Sequence, residues 1–147
     1  DHPPPGFFGP FFNGIAQGYA TDRARAILRR NDLTDVLVDI GEVAGDGGPW
    51  HLGIADPEHG LVATRTLRSG AIATSSRAPD GMEHVFGPDS TLSTVSVEAE
   101  DAWLADAIST AALVAPADQR DRMARLPGIR RILTVDRDGN IRTLRPG

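Results

Sequence analysis

Asp106 and Thr110 stand four residues apart in an alanine-rich stretch, Ala102–Leu113. Residues at i and i+4 of a helix share a face, so a carboxylate and a hydroxyl are presented side by side. Such a pair can hold a hard cation such as Mg²⁺, which takes oxygen ligands. Trp103, Leu104, Ala107, Ile108 and Ala111 read as the apolar stripe of this helix, with Asp106 and Thr110 at its edge. An ordinary amphipathic helix with two polar rim residues fits the same pattern. Three further groups carry chemistry-bearing side chains. Asn13–Tyr19 is rich in small residues ahead of a helix expected over 20–30, and a helix start favours anions. A glycine-containing helix entry would look the same. Asp39 and Glu42 flank Gly41 at a strand end, as a site or as a polar turn. Thr74-Ser75-Ser76 with His84 hints at acyl transfer, but the G-x-S-x-G elbow is missing. His84 is the histidine best placed for proton transfer near neutrality, because His51 and His59 fall in hairpins and His2 in the N-terminal stretch. Together these groups point to Mg²⁺-dependent phosphoryl or nucleotidyl chemistry.

Composition narrows the partners. The 147 residues are 40% hydrophobic and 24% charged, in the range of a globular domain. The formal charge of −5 argues against nucleic acid, whose phosphates need a basic surface. Cysteine is absent, which removes disulfides, thiolate metal sites and thiol catalysis. The 15 basic residues are all arginine, so no Schiff-base or lysine-base chemistry arises here. No run of about 20 apolar residues is present to form a membrane-crossing helix.

The elements that must position these groups follow from periodicity and breakers. Residues 1–12, with four prolines and two glycines among the phenylalanines Phe7, Phe8, Phe11 and Phe12, read as a non-helical arm, and 13–147 as the folded domain. Strands are expected at 36–40, 50–55, 61–67, 71–76, 84–86, 94–97, 129–135 and 141–144, and helices at 20–30, 102–113 and 117–125. The strands at 50–55 and 61–67 should pair as a hairpin, and residues 136–140 should turn between the last two. The expected class is α+β, a mixed, largely antiparallel sheet with about three helices packed on it.

In chain order these segments resemble the ApbE family, the FAD:protein FMN transferases. Asn13-Gly-Ile-Ala-Gln-Gly-Tyr-Ala-Thr-Asp-Arg-Ala24 is similar to "GGIAKGYAVDRA". Val36-Leu-Val-Asp-Ile-Gly-Glu42 resembles "LVNxGGD/E", and Pro49-Trp-His-Leu-Gly-Ile-Ala-Asp-Pro57 resembles "PWxVGIxDP". Ala71-Ile-Ala-Thr-Ser75 resembles "xxATSG", His84-Val-Phe-Gly-Pro88 "HIIDP", and Leu104-Ala-Asp-Ala-Ile-Ser-Thr-Ala111 "EADALSTAL". The resemblance covers the C-terminal half of the family domain.

The resemblance implies Mg²⁺-dependent transfer of FMN from FAD to a Thr or Ser hydroxyl of a target flavoprotein, with release of AMP. It implies Asp106 and Thr110 as side-chain Mg²⁺ ligands, with backbone oxygens of Ser109 and Gly14. Asn13, Gln17, Ser75 and Phe86 would contact FAD, and His84 would be the base for the acceptor hydroxyl. The N-terminal half would come from elsewhere, such as a partner chain. The family's usual location is exported, periplasmic or on the outer face of the cytoplasmic membrane. Gln17 stands where many members have Lys or Glu, and Gly87 where they have Asp. The alternative is therefore a non-catalytic FAD-binding or partner-docking module that keeps the fold.

Overall fold

Along Leu92–Ala99 every residue but Glu98 is buried, as expected of a strand with a layer packed on each face. This strand lies inside the main sheet of the computed structural model, which describes residues 9–77 and 91–147, with side chains from Ile15 onward. The elements are α1 (Gly9–Arg30), β1 (Val36–Asp39), β2 (Val43–Asp46), β3 (Trp50–Asp56), β4 (Gly60–Leu67), β5 (Gly70–Ser76), β6 (Leu92–Ala99), α2 (Ala102–Val114), α3 (Ala117–Met123), β7 (Ile129–Asp136) and β8 (Ile141–Leu144). Six strands form one sheet in the order β1-β2-β5-β6-β7-β8, with each neighbouring pair antiparallel. β3 and β4 pair as the expected hairpin. The class is α+β, as the periodicity predicts.

Strand alternation divides the core in two. Ala73, Val97 and Ile132 lie across from one another in register on one face, where they pack with Ala71, Val95 and Ala99 against Ala102, Ala105, Ala112 and Leu113 of α2. On the other face Leu133 and Val135 meet Ile54 of the hairpin, with Val62 and Ala63 beside it. Hydroxyls tie β5 to β6 on the hairpin side, Thr74 Oγ1 to Ser96 Oγ at 2.9 Å and Ser76 Oγ to Thr94 Oγ1 at 2.7 Å.

Four expectations are corrected. The helix expected from residue 20 begins at Gly9, inside the stretch read as non-helical. Pro10 falls in its first turn, where the missing N–H has no helical partner to lose. Asn13–Tyr19 therefore lies within α1 and is not a free helix start. The buried face of α2 is Ala102, Ala105, Asp106, Ser109, Ala112 and Leu113, so the stripe through Trp103 and Ala107 is not the buried one. Small side chains let that face approach the sheet closely, while Trp103 stays 45% exposed and Leu104 and Ile108 pack at the margin. β2 was unforeseen because Gly41 and Gly45 read as turn; Gly41, at φ +101°, instead reverses the chain tightly between β1 and β2. The strand expected at 94–97 is longer, and β6 takes in Glu98 and Ala99.

The α1–α2 crossing is built to be close. A Cβ on Gly18 would lie 2.6 Å from Trp103 Cα, so α1 can pass here only with glycine. Four residues on, Asp22 receives the backbone N–H groups of Ala102 and Trp103, each at 3.0 Å. The first N–H groups of α2, which lack helical acceptors, are thus capped from α1 and not by its own Asp101. Arg25, buried, donates to the carbonyls of Gly70 at 3.0 Å and Glu100 at 3.2 Å, pinning α1 to the end of the layer where β5 starts and β6 finishes.

Candidate functional site

The crossing delivers two carboxylates to one place. Asp106 points from α2 toward α1, is 3% exposed, and accepts the Gly18 N–H at 3.2 Å. A helical N–H ordinarily serves the carbonyl four residues back, here Gly14, so that carbonyl shares its donor with Asp106. Glu42, 8% exposed, enters from the β1–β2 turn and accepts a backbone hydrogen bond from Thr74. Thr21 Oγ1 steadies that corner, donating to the Gln17 carbonyl at 2.9 Å and reaching the Glu42 carbonyl at 3.4 Å.

Hydroxyls complete the wall. Ser75, at the end of β5, shares hydrogen bonds with Ser109 Oγ at 2.7 Å and Thr110 Oγ1 at 3.2 Å. Ser109 also donates to the Asp106 carbonyl at 2.9 Å. One turn of α2 therefore presents Asp106, Ser109 and Thr110 together, with Ser75 against them. The expected i, i+4 geometry is met, with Asp106 on the buried face and Thr110 half-buried at its margin.

Gln17 is exposed, with its side-chain amide beside Gly41: a Cβ built there would lie 3.4 Å from Gln17 Cδ. Asn13 and Gly14 lie on α1, where the Asn13 side chain falls outside the described residues. His84 and Phe86, and the strand expected at 84–86, also lie outside them. Glu42 joins the cluster although the resemblance gave it no role; its signal in the sequence was an acid closing an apolar strand next to glycine. Asp39, its partner in that reading, is exposed and accepts the Gly41 N–H at 3.3 Å, which is the turn role.

The electrostatics are those of an acidic, dry corner. Burial, then the neighbouring Asp106 charge, raise Glu42 from 4.5 to about 8 against the Thr74 hydrogen bond, and Asp39 adds to the rise. Burial raises Asp106 from 3.8 to about 6, partly offset by the Gly18 N–H. Among the described residues no three His, Cys, Asp or Glu cluster. The donor set is instead two carboxylates with hydroxyl and backbone oxygens, which is chemistry suited to a hard cation. Among the described residues Glu42 Oε2 is buried without a hydrogen-bond partner, which is unusual for a buried carboxylate.

These shifts fix a pH dependence. An acid whose pKa is raised by folding binds its proton more tightly folded than unfolded, so stability falls as pH rises from the unfolded to the folded value. For Glu42 that window runs from 4.5 to about 8, and for Asp106 from 3.8 to about 6. The metal-free chain is expected to lose melting temperature between about pH 4 and about pH 8. Millimolar Mg²⁺ should restore it mainly at the alkaline end, where both carboxylates are ionised. Differential scanning fluorimetry across pH, with and without Mg²⁺, reads both effects; a cation response equal at both ends would contradict the assignment.

The family model described as the ApbE family matches residues 11–133. A FAD:protein FMN transferase from Rhodobacter capsulatus is 33% identical over 145 residues, taking in 86% of this chain and 28% of that protein. The crystal structure of the ApbE protein from Thermotoga maritima superposes with a TM-score of 0.76 at 34% identity, over 90% of this chain and 50% of that one. The apo flavinyl transferase ApbE from Pseudomonas stutzeri gives a TM-score of 0.75 at 26% identity, over 92% of this chain and 48% of that one. The chain thus spans about half the length of these two solved relatives.

Proposed function

The chain belongs to the ApbE family, and from that premise we propose that it is the cation-bearing half of a Mg²⁺-dependent transferase that moves FMN from FAD to a Thr or Ser hydroxyl of a target flavoprotein. The observation that carries the reading is the buried corner where Asp106 of α2 meets α1 at Gly18, with Glu42 close enough to feel its charge and the Ser75, Ser109 and Thr110 hydroxyls bonded beside it. Asp106 and Thr110 side chains and the Ser109 and Gly14 backbone oxygens would hold the ion. When bound, Mg²⁺ would neutralise charge on the FAD pyrophosphate and so ease departure of AMP.

The chain's own residues then orient and enclose. Ser75 fixes the Ser109 and Thr110 hydroxyls, and Gly18 and Asp22 hold α1 against α2 so that the oxygens keep their spacing. In the transfer, the acceptor hydroxyl oxygen bonds to the FMN phosphorus as the bridging P–O bond breaks. AMP leaves with the bond electrons, and the hydroxyl proton passes to a base, the role the resemblance gives to His84. Gln17, exposed beside Gly41, would meet FAD through a neutral amide.

The other half of the family domain, on the same polypeptide or on a partner chain, belongs to this reading. A groove of about 800 Å³ runs between α1 and the start of α2. Ile15, Tyr19 and Trp103 line it and are 50%, 58% and 45% exposed. This is the apolar surface such a half would cover. The test supplies the chain and that half with FAD, Mg²⁺ and an acceptor flavoprotein. AMP should appear together with an acceptor that carries covalent flavin fluorescence on a denaturing gel. FAD binding without AMP would favour the docking-module alternative, which the neutral Gln17 keeps open.

A further inference from the structure

Glu42 is the group in the corner that neither the family resemblance nor the proposed reaction uses. Its surroundings are unusual for a structural carboxylate. Gly41, in the left-handed region at φ +101°, turns the chain so that Glu42 sits in the β1–β2 turn, near enough to α2 to feel the Asp106 charge. Thr21 Oγ1 holds its backbone carbonyl, and the Gln17 side chain packs against the preceding glycine. Glu42 is 8% exposed, yet its Oε2 has no hydrogen-bond partner among the described residues. A buried carboxylate oxygen left unpaired is costly unless something compensates. The charges that act on it are those of Asp106 and Asp39, both acidic. Two carboxylates brought together from a strand turn and a helix, out of water, need a positive charge between them.

We infer that Glu42 is a ligand of the divalent cation held at Asp106, through the Oε2 oxygen that the protein leaves unpartnered. The ion then receives two carboxylates from different elements, one from the β1–β2 turn and one from α2. It becomes the strut between the β1–β2 hairpin and the helical layer. This rests on the reading of Asp106 as a cation ligand. It adds a protein charge that keeps the ion resident between turnovers, when no FAD phosphate is present.

Mn²⁺ binding, followed by electron paramagnetic resonance without FAD, tests this on the chain, Glu42→Gln, Glu42→Asp and Asp106→Asn. Gln is isosteric and removes only the charge, so the metal-free fold should hold, as circular dichroism will show. Glu42→Gln should weaken Mn²⁺ binding about tenfold or more, and Glu42→Asp, which retracts the charge by one methylene, by less. Binding equal to the unmodified chain in both Glu42 variants overturns the inference; if Asp106→Asn alone loses the ion, the cation reading itself survives. An unmodified chain that binds no Mn²⁺ with or without FAD overturns both. Should Glu42→Gln fail to fold, Glu42→Asp decides alone, by weakened binding or by none.

Discussion

Asp106→Ala is expected to lower Mg²⁺-dependent transfer from FAD by about a thousandfold or more, because on the proposed reading it removes a charged cation ligand where the charge of the departing AMP must be neutralised. The loss should come with an intact fold. Asp106 contributes one hydrogen bond to the protein, from Gly18 N–H at 3.2 Å, worth about 1 kcal/mol. Against that stands the cost of a buried carboxylate whose pKa is raised to about 6. Above that pH the alanine variant escapes the cost of ionising Asp106, so the metal-free protein should melt no lower, and Mg²⁺ should no longer raise its melting point. Asp106→Asn separates charge from shape: it keeps an acceptor for Gly18 and should be nearly as inactive. AMP release per acceptor labelled is the measurement, and turnover near that of the unmodified chain would remove Asp106 from the site.

Sequence periodicity located most of this architecture and missed what joins it. The strands at Trp50–Asp56, Gly60–Leu67 and Ile141–Leu144 and the helix at Ala102–Val114 carry clear two- or 3.6-residue patterns, so their places were legible. The buried face of α2 was not. Hydrophobicity marks Trp103 and Ile108, whereas close packing selects Ala105, Ser109 and Ala112 because they are small. Spacing put Asp106 and Thr110 on one side of a helix but could not say that Gly18 lets a second helix pass close beside them. Asp22 was invisible for the same reason: its partners, the Ala102 and Trp103 N–H groups, are about eighty positions away, and no local rule links a helix interior to another helix's cap. Glu42 showed only as an acid after a glycine. Its burial depends on β2, which its glycines concealed.

Asp56→Ala should give the largest loss of stability, about 3 kcal/mol, or roughly 10 °C in melting temperature for a domain of this size. Asp56 ends β3, is 3% exposed, and fills both carboxylate oxygens. Oδ2 accepts Ser93 Oγ at 2.6 Å and Thr94 Oγ1 at 2.7 Å; Oδ1 accepts the N–H groups of Glu58 and His59, each at 2.9 Å. Burial alone would raise its pKa, but these four donors outweigh it and hold the group below its usual value. The carboxylate therefore contributes stability that is present above the unfolded value of 3.8 and lost as pH falls below it. Alanine leaves the Thr94 hydroxyl, at 0% exposure, with Ser76 as its remaining partner, and frees the β3–β4 turn. Ser93 can fall back on the carbonyls of Val135 and Asp136, both at 3.2 Å, which is why the loss stops near 3 kcal/mol and does not approach the sum of four bonds. Apolar packing of the hairpin rests on Ile54 against Leu133 and Val135, a small cluster, so Asp56 is its main polar tether to the sheet. The damage should be local in hydrogen exchange: amides of β3 and β4 lose protection, while β6 and α2 stay slow until global unfolding. Uniform acceleration across both layers, or an unchanged melting temperature, would show that the hairpin is held by something other than Asp56.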